Sequence, residues 1–368
     1  MSLLAGLEVA QLGDGLGAAV CGRLFADVGA NVACIGLGDA IPLADYLNHG
    51  KRIVAGDPTA ALSAADLIVC EGRPQDLRAQ GYDAVELRRL NPTAVLVFIS
   101  PFGQTGPRAD DPATDLTSFF ASSMARLLTG QVDDLAEAPM RPVGEQSAFI
   151  GGIAAACAAM HAVLSAEPGA VIDVSIQEAL ATMAIGELAR AGLGRKIWSR
   201  RRLSDGNGAT VTIQPASDGY AAISPREDRQ WAAWLEVMGR PDWATDPRFV
   251  RKPDRVAHWD ALHALMSDWS RRHSKQSIAD QAQAAHVPSF PLREPAEQLN
   301  SPQLAHRGFW RPVDIAGRTM QAPGPPFGLA ITAARGKERR PSGGMPLSGI
   351  RVLDFSWVIA GPTARLSG

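Results

Sequence analysis

Short apolar runs separated by helix-period segments dominate the first half of the chain. Each run is rich in Val, Ile, Leu and Ala, and such continuous runs are typical of strands buried on both faces of a parallel sheet. The predicted strands lie at 7–12, 31–35, 53–55, 65–70, 94–99 and 170–175. The predicted helices include 18–28, 83–90, 150–165 and 177–193. This alternation predicts an α/β fold with a Rossmann-like open parallel sheet.

The pattern changes near 200–208, where basic residues give way to Asp, Gly and Asn. Two short strands at 211–213 and 219–223 then precede amphipathic helices near 227–238, 258–272 and 275–285. We predict four parts from these changes. They are a large Rossmann-like domain at 1–203, a smaller α+β domain at 204–315, a segment at 316–340 that returns to the large domain and becomes a linker, and the truncated start of a second copy at 346–368.

The evidence for a second copy is an internal repeat. Residues 346–368 repeat the start of the chain, with Leu4/Leu347, Gly6/Gly349, Leu7/Ile350 and Val9/Val352 as matching pairs. The repeat predicts a second strand at 350–355, followed by a small-residue turn and a helix start. We therefore expect this chain to be the first half of a tandem protein.

Composition narrows the class of protein. The 36 basic and 38 acidic residues nearly balance, which argues against a nucleic-acid-binding surface. The four cysteines lie in apolar stretches without metal-type spacing, so we expect reduced core residues and no metal site. The most apolar predicted helix stretch, at 150–164, is too short to span a bilayer. These features predict a cytoplasmic protein that binds neither membranes nor nucleic acids.

Candidate ligand contacts lie where predicted strands end, because open parallel sheets bind ligands there. Gly13, Gly15 and Gly17 follow the first strand, and they allow either close approach of a ligand or tight helix packing. Gly36 occupies the position after the second strand where a nicotinamide enzyme has an acidic residue. Lys51, in the Asn-His-Gly-Lys-Arg turn, could contact a phosphate or lie in a solvated loop.

Several motifs keep a specific order along residues 4–333. They are GLEVAQLG with LFADVGANV, NHGKR, EGRPQDL, LNPTAVLVFISPFGQTGP, PATDL, GAVIDVSIQEAL, SDGYAAI, GRPDWATDPRF, HVPSFPL, SPQLAHRGF and APGPPFGL. Together they resemble the family III CoA-transferases, which include formyl-CoA and carnitine CoA-transferases and the α-methylacyl-CoA racemases. The resemblance implies a Rossmann-like domain with a smaller domain inserted behind it, and an interlocked dimer. It also implies acyl-CoA and a small carboxylic acid as substrates, with no permanently bound cofactor.

The resemblance also places the family's nucleophile. In this family an aspartate, four residues before the glycine that opens the Ala-rich helix, attacks the acyl-CoA thioester. Counted back from Gly152, the corresponding residue is Ala148, which has no nucleophilic group. Glu145 is the nearest carboxylate in the preceding loop, and it is either a shifted substitute or a solvated loop residue. The racemases have histidine where this chain has Thr114, so a racemase is disfavoured.

The same resemblance assigns a CoA pocket to three loops. The predicted CoA-binding residues are Leu16, Gly17, Glu71, Gly72, Arg73, Ser100, Pro101, Phe102 and Gln104. Two positions depart from the family pattern. Gly36 and Leu37 stand where members have a charged residue, and Gly17-Ala18-Ala19 replaces an Ala-Gly-Pro turn that the repeat restores at 360–362.

Three hypotheses follow. The first is a CoA-transferase in the full-length tandem protein, whose second copy is a partner in the same chain or in a homodimer and whose first half has lost its nucleophile. The second is a noncatalytic CoA-ester-binding or structural module. The third, a nicotinamide oxidoreductase, is disfavoured by Gly36 and by the absence of a GxGxxG motif.

Overall fold

Six strands pair in parallel in the first half of the chain. They are β1 (Glu8–Leu12), β2 (Asn31–Ile35), β3 (Arg52–Val54), β4 (Leu67–Glu71), β5 (Val95–Ser100) and β6 (Val171–Ser175). Their order across the sheet is β3-β2-β1-β4-β5-β6. The predicted α/β fold with a Rossmann-like parallel sheet is thus confirmed in this computed structural model.

The other strands form two antiparallel sheets. They are β7 (Thr212–Ala216), β8 (Gly219–Ile223) and β9 (Ser289–Pro291) in one, and β10 (Trp310–Ile315) and β11 (Arg318–Pro323) in the other. The structure describes residues 3–37, 42–128, 132, 134, 136–139, 141–165, 168–195, 210–315, 317–328, 330, 351 and 353–356.

The helices before β7 belong mostly to the crossovers of the parallel sheet. They are α1 (Leu16–Asp27), α2 (Pro42–Asn48), α3 (Thr59–Ser63), α4 (Pro74–Gln80), α5 (Ala84–Leu90), α6 (Asp115–Ala121), α7 (Ala125–Leu128), α8 (Gln146–Ser165), α9 (Ile176–Met183) and α10 (Ile185–Gly192). The predicted helix at 177–193 is therefore two helices, because Ala184 interrupts it as the C-cap of α9.

The helices after β8 surround the three-stranded sheet. They are α11 (Asp228–Val237), α12 (Pro247–Val250), α13 (Lys252–Ala257), α14 (Trp259–Ser270), α15 (Lys275–Ala284), α16 (Pro295–Leu299) and α17 (Pro302–His306), with a 3-10 turn at Asp242–Thr245. Trp231, Trp234 and Trp259 are buried in the core of this part. These three tryptophans pack as core residues.

The chain divides into two units. The first comprises Met1–Leu128, Arg141–Ile185 and Gly308–Gly368, and the second comprises Thr129–Met140 and Gly186–Arg307. In the first unit the hairpin β10-β11 is anchored near α2, where the Tyr46 hydroxyl donates to the Pro323 carbonyl at 2.7 Å. The chain thus returns to the unit that holds the parallel sheet. The predicted boundaries at 1–203, 204–315, 316–340 and 346–368 remain predictions.

Close contact between α1 and α8 organises the core of the first unit. A Cβ added at Gly152 would lie 2.5 Å from the Gly17 carbonyl oxygen and 2.7 Å from the Val20 Cβ. Ala155 and Ala159 continue the same contact as fully buried residues. The small residues of α8 therefore let the two helix backbones approach one another.

The length of α8 corrects the prediction about membranes. The helix has 20 residues because it begins at Gln146, ahead of the apolar run from which its start was predicted. The stretch Gln146–Leu164 is long and apolar enough to cross a bilayer, with a mean hydropathy of 1.8. Core helices pass the same test, and α8 packs on α1 and β5. The sequence analysis took this helix to be too short to span a bilayer, and its observed length corrects that prediction.

Two further predictions are wrong in the described residues. Cys157, in α8, is exposed rather than a core residue. Arg351 and residues 353–356 form no strand, and Leu353 and Phe355 are exposed. The predicted boundary near 200–208, the linker and the turn at 360–362 lie outside the described residues.

Candidate functional site

The predicted CoA-binding residues lie along one edge of the parallel sheet. The carboxyl ends of β1, β4 and β5 meet at this edge, where open α/β sheets bind ligands. Leu16 and Gly17 follow β1 at the start of α1. Glu71 is the last residue of β4, and Gly72 and Arg73 follow it. Ser100 is the last residue of β5, and the loop after it contains Pro101, Phe102 and Gln104. Hydrogen bonds join the three loops, so the sheet brings these residues together.

The Glu71 carboxylate occupies the amino end of α1. Its Oε2 accepts a hydrogen bond from the Ala18 N–H at 2.7 Å, and the Gly17 N–H also donates to this carboxylate. Helix α1 has no side-chain cap and no acidic residue in its own first turn. Glu71 thus supplies the anion that the positive end of a helix favours. The position that holds a phosphate in dinucleotide-binding folds is filled by the protein itself.

The close approach of Glu71 explains the glycines of this turn. A Cβ at Gly15 would collide with the Glu71 carboxylate, and a Cβ at Gly17 would lie 3.0 Å from Glu71 Oε2 and 3.4 Å from the Ala148 carbonyl oxygen. Of the two roles left open by the sequence, tight packing is the one that the structure shows. Gly13, with a positive φ of 83°, serves the turn itself.

Burial raises the pKa of Glu71 from 4.5 to about 6, although hydrogen bonds from Ala18 and Gly17 lower it in part. The folded protein therefore holds this proton more tightly than the unfolded chain. The contribution of Glu71 to stability is full below the unfolded-state pKa of 4.5 and is lost as the pH rises through about 6.

The variant Glu71→Gln removes this titration. Relative to the native protein, the variant should gain up to about 2 kcal/mol in free energy of unfolding between roughly pH 4 and pH 7. Urea unfolding of both proteins across this pH range measures the difference. A difference that does not change with pH would show that the carboxylate is not desolvated at the end of α1.

Arg73 and Gln104 tie the loops after β4 and β5 together. The Arg73 guanidinium pairs with Asp76 at 2.7 Å and donates to the carbonyl of Asp110, which follows β5, at 3.3 Å. The Gln104 side chain donates to the Gly72 carbonyl at 3.0 Å, and its backbone N–H donates to the Asp173 carboxylate at 2.9 Å. These contacts join the two loops to each other and to β6.

Ser100 has the one hydroxyl at this edge that is buried and lacks a hydrogen-bond partner among the described residues. It ends β5, and the next residue, Pro101, accepts a hydrogen bond from the Gln177 N–H at 3.0 Å. Phe102 is half-buried in the same loop. This part of the loop, Ser100 to Phe102, therefore offers few free polar side chains.

Ala148, where the resemblance places the family's nucleophile, lies in the first turn of α8. It is buried, with 9% of its surface exposed. Glu145 precedes the helix and is exposed, and its backbone carbonyl accepts a hydrogen bond from the Phe149 N–H at 3.2 Å. Glu145 therefore lies immediately before the first turn of α8.

Asp115 is a carboxylate near Ala148 that the sequence analysis missed as a site residue. Its Oδ1 accepts a hydrogen bond from the Ser147 N–H at 2.7 Å, which caps the amino end of α8. The preceding residue, Thr114, is the N-cap of α6 and forms a capping box with Thr117. The Pro-Ala-Thr-Asp-Leu motif was the available signal, but nothing in the sequence shows that its aspartate reaches α8.

Lys51 fills neither of the two roles left open for it. It is buried, and its Nζ donates to Gln11 Oε1 at 2.7 Å, to the Ala19 carbonyl at 2.8 Å and to Asn48 Oδ1 at 3.0 Å. Burial lowers its pKa from 10.5 to about 8. The lysine thus holds the end of α2 against β1 and α1 and is not exposed to a phosphate.

No group of three or more His, Cys, Asp or Glu side chains that could hold a metal ion occurs in the described part of the chain.

The parallel sheet and the loops at its carboxyl edge define a Rossmann-like α/β protein. The family model described as CoA-transferase family III matches residues 4–345. The chain belongs to CoA-transferase family III. Enzymes of this family use CoA thioesters as substrates and have no permanently bound cofactor.

Two relatives are informative. The chain is 30% identical, over 77% of its length and 73% of the relative's, to the succinyl-CoA:(R)-benzylsuccinate CoA-transferase subunit BbsE of Thauera aromatica. It is 27% identical to a probable CoA-transferase of Mycobacterium tuberculosis, over 83% of this chain but 42% of that relative. Relatives of this chain are thus CoA-transferases that act on acyl-CoA and carboxylic acids.

A solved structure shows the same fold. The CaiB/BaiF family protein of Brucella suis superimposes with a TM-score of 0.78, covering 89% of this chain and 93% of that protein, at 22% identity. At this identity the likeness concerns the fold.

Proposed function

We propose that this chain is the noncatalytic half of a tandem CoA-transferase that moves CoA from an acyl-CoA to a small carboxylic acid. The observation that carries the proposal is Ala148, a buried alanine at the family's nucleophile position. Counting from Gly151 instead of Gly152 gives Ser147, which also lacks a carboxylate. The outcome is therefore the same for either alignment.

The two neighbouring carboxylates do not replace the missing one in this proposal. Asp115 is engaged by the Ser147 N–H at 2.7 Å, where it caps α8. Glu145 is exposed in the loop before α8. A carboxylate nucleophile has to be held with an oxygen aimed at the thioester carbonyl, and an exposed loop side chain is not held in this way.

The reaction would proceed in the second copy. There a carboxylate attacks the acyl-CoA carbonyl, the C–S bond breaks, and a mixed anhydride and the CoA thiolate result. The thiolate then attacks the carbonyl of the enzyme's carboxyl group, which releases the donor acid and leaves an enzyme–CoA thioester. The acceptor carboxylate repeats these steps in reverse. This half would complete the fold and contribute the loops that hold Glu71, Arg73 and Gln104.

The tandem arrangement is supported by the repeat of residues 3–25 at 346–368. It is also consistent with the Mycobacterium tuberculosis relative, of which this chain covers 42%. In the proposed arrangement the partner is the second copy in the same chain, or a second molecule in an interlocked dimer, and the protein is cytoplasmic. The domain boundaries are those predicted from the sequence.

The second candidate is a noncatalytic CoA-ester-binding or structural module, and the filled anion position at α1 favours the structural alternative of the two. Because Glu71 already binds the Ala18 N–H, a CoA phosphate has no free helix end there. Calorimetric titration of the chain with CoA separates binding from pure scaffolding. A racemase remains disfavoured because Thr114 and Ala148 stand at the positions of both bases.

The proposal predicts activity in the tandem protein and none in this chain. Succinyl-CoA and acetyl-CoA would be offered as donors, with oxalate and succinate as acceptors, and new CoA esters would be separated by chromatography. The full tandem protein should transfer CoA, also when it carries Glu145→Gln. The chain of residues 1–368 should not. Transfer by the chain alone, lost in Glu145→Gln, would contradict the proposal.

A further inference from the structure

The outer face of the β7-β8-β9 sheet is apolar, although it is exposed. Side chains alternate along the strands, with Gln214, Ala221 and Ile223 buried on the inner face. On the other face Tyr220 and Phe290 are 51% and 68% exposed. A sheet face directed at water normally carries polar residues. This face therefore has the composition of a binding surface.

The residues of this face form a groove. Strand pairing sets Ile213 and Phe290 on either side of Ala222, so a methyl group is the floor between two large side chains. Tyr220 and Leu292 form the next row, and the Leu292 N–H donates to the Tyr220 carbonyl at 2.8 Å. The groove has a volume of about 680 Å³, which is within the range of small-ligand sites.

One lining residue is charged. Arg293 lines the groove, and none of the other lining residues is acidic. One Arg293 N–H donates to Gln276 Oε1 at 2.9 Å, which leaves further donors of the five. The pKa of Glu297 is lowered, first by its hydrogen bond from Lys275 and in smaller part by the charge of Arg293. Glu297 is itself paired with Lys275 at 2.9 Å. The groove therefore combines an apolar floor with one positive charge.

We propose that this groove binds an amphipathic monocarboxylate, whose hydrocarbon part lies over Ala222 and whose carboxylate pairs with Arg293. The strands that carry Ile213 and Phe290 are two strand spacings apart, about 10 Å, so a hydrocarbon chain can lie over Ala222 between these two side chains. A guanidinium and a carboxylate form a charge-assisted, two-point contact. None of the groove residues belongs to the loops at the edge of the parallel sheet, so this site is additional to the one described above.

Calorimetric titration of the 368-residue chain tests the proposal with three probes. Octanoate carries both features, octan-1-ol has the chain without the charge, and acetate has the charge without the chain. Octanoate should bind at least about tenfold more tightly than acetate, because it buries methylene groups. Equal or undetectable binding of octanoate and acetate would overturn the proposal.

Three variants locate the site. Ala222→Phe should abolish octanoate binding by filling the groove, and Arg293→Gln should weaken it about fivefold while leaving octan-1-ol unchanged. Arg271→Gln, the loss of a positive charge outside the groove lining, should have no effect. Octanoate binding that survives both groove variants would refute the site. Sedimentation of the native chain as a dimer that Ala222→Phe dissociates would show that a second copy covers this face, and would refute it as well.

Discussion

Replacement of Asn91 by leucine is expected to lower the free energy of unfolding by about 3 to 5 kcal/mol. Asn91 is buried, with 4% of its surface exposed. Its Nδ2 donates to the carbonyls of Leu62, Ser63 and Ala65, and its Oδ1 accepts from the Thr93 and Ala94 N–H groups. Leucine has a similar size but leaves these buried backbone groups without their partner. Urea unfolding measures the loss.

The control for this variant is Asn300→Leu. Asn300 is exposed, and its side chain donates to the Ala296 carbonyl at 3.4 Å. The change should stay within about 0.5 kcal/mol. If both variants lost the same stability, the bonds of Asn91 would not be what joins the turn before β4 to the turn before β5.

The second large effect is expected for Gly152→Ala. The added methyl group would lie 2.5 Å from the Gly17 carbonyl oxygen, a backbone atom that cannot move without shifting α1. Overpacking of this kind costs about 3 kcal/mol. Because Gly17 also faces Glu71, the shift should disturb the α1 turn at the candidate site. Thermal unfolding and urea unfolding of the variant check the prediction.

Gly186→Ala is the matched control for Gly152→Ala. Gly186 also lies in a helix, α10, but a Cβ there has no heavy atom within 4 Å. Alanine favours a helix over glycine, so this variant should be neutral or more stable by up to about 1 kcal/mol. Equal losses in the two variants would mean that glycine in a helix, and not the α1–α8 contact, sets the cost.

The strands of the parallel sheet could be predicted because burial on both faces leaves a continuous apolar run in the sequence. Residues 31–35 are both the predicted and the observed second strand. The start of α8 could not be predicted in this way. Its first turn contains Gln146 and Ser147, and it is stabilised by Asp115 from another helix. Such a long-range cap leaves no periodic signal.

The candidate site shows a similar limit. Glu71 lies at the predicted edge of the sheet, because strand ends are readable from the sequence. Its contact with the Ala18 N–H joins residues 53 positions apart and depends on how β1 and β4 pair. The polar turn that contains Lys51 suggested a surface residue. In the structure Lys51 is buried, and its Nζ donates to three acceptors in separate elements. Local patterns predict where loops lie, not which side chains turn inward.

Mass spectrometry of the 368-residue chain after incubation with succinyl-CoA or acetyl-CoA tests the central claim most directly. A working family nucleophile forms an enzyme–CoA thioester, which adds the mass of one CoA less one water. Since Ala148 offers no carboxylate, the account predicts an unchanged mass with either donor. A CoA adduct on the chain, mapped by peptide analysis to Glu145 or Asp115, would contradict it.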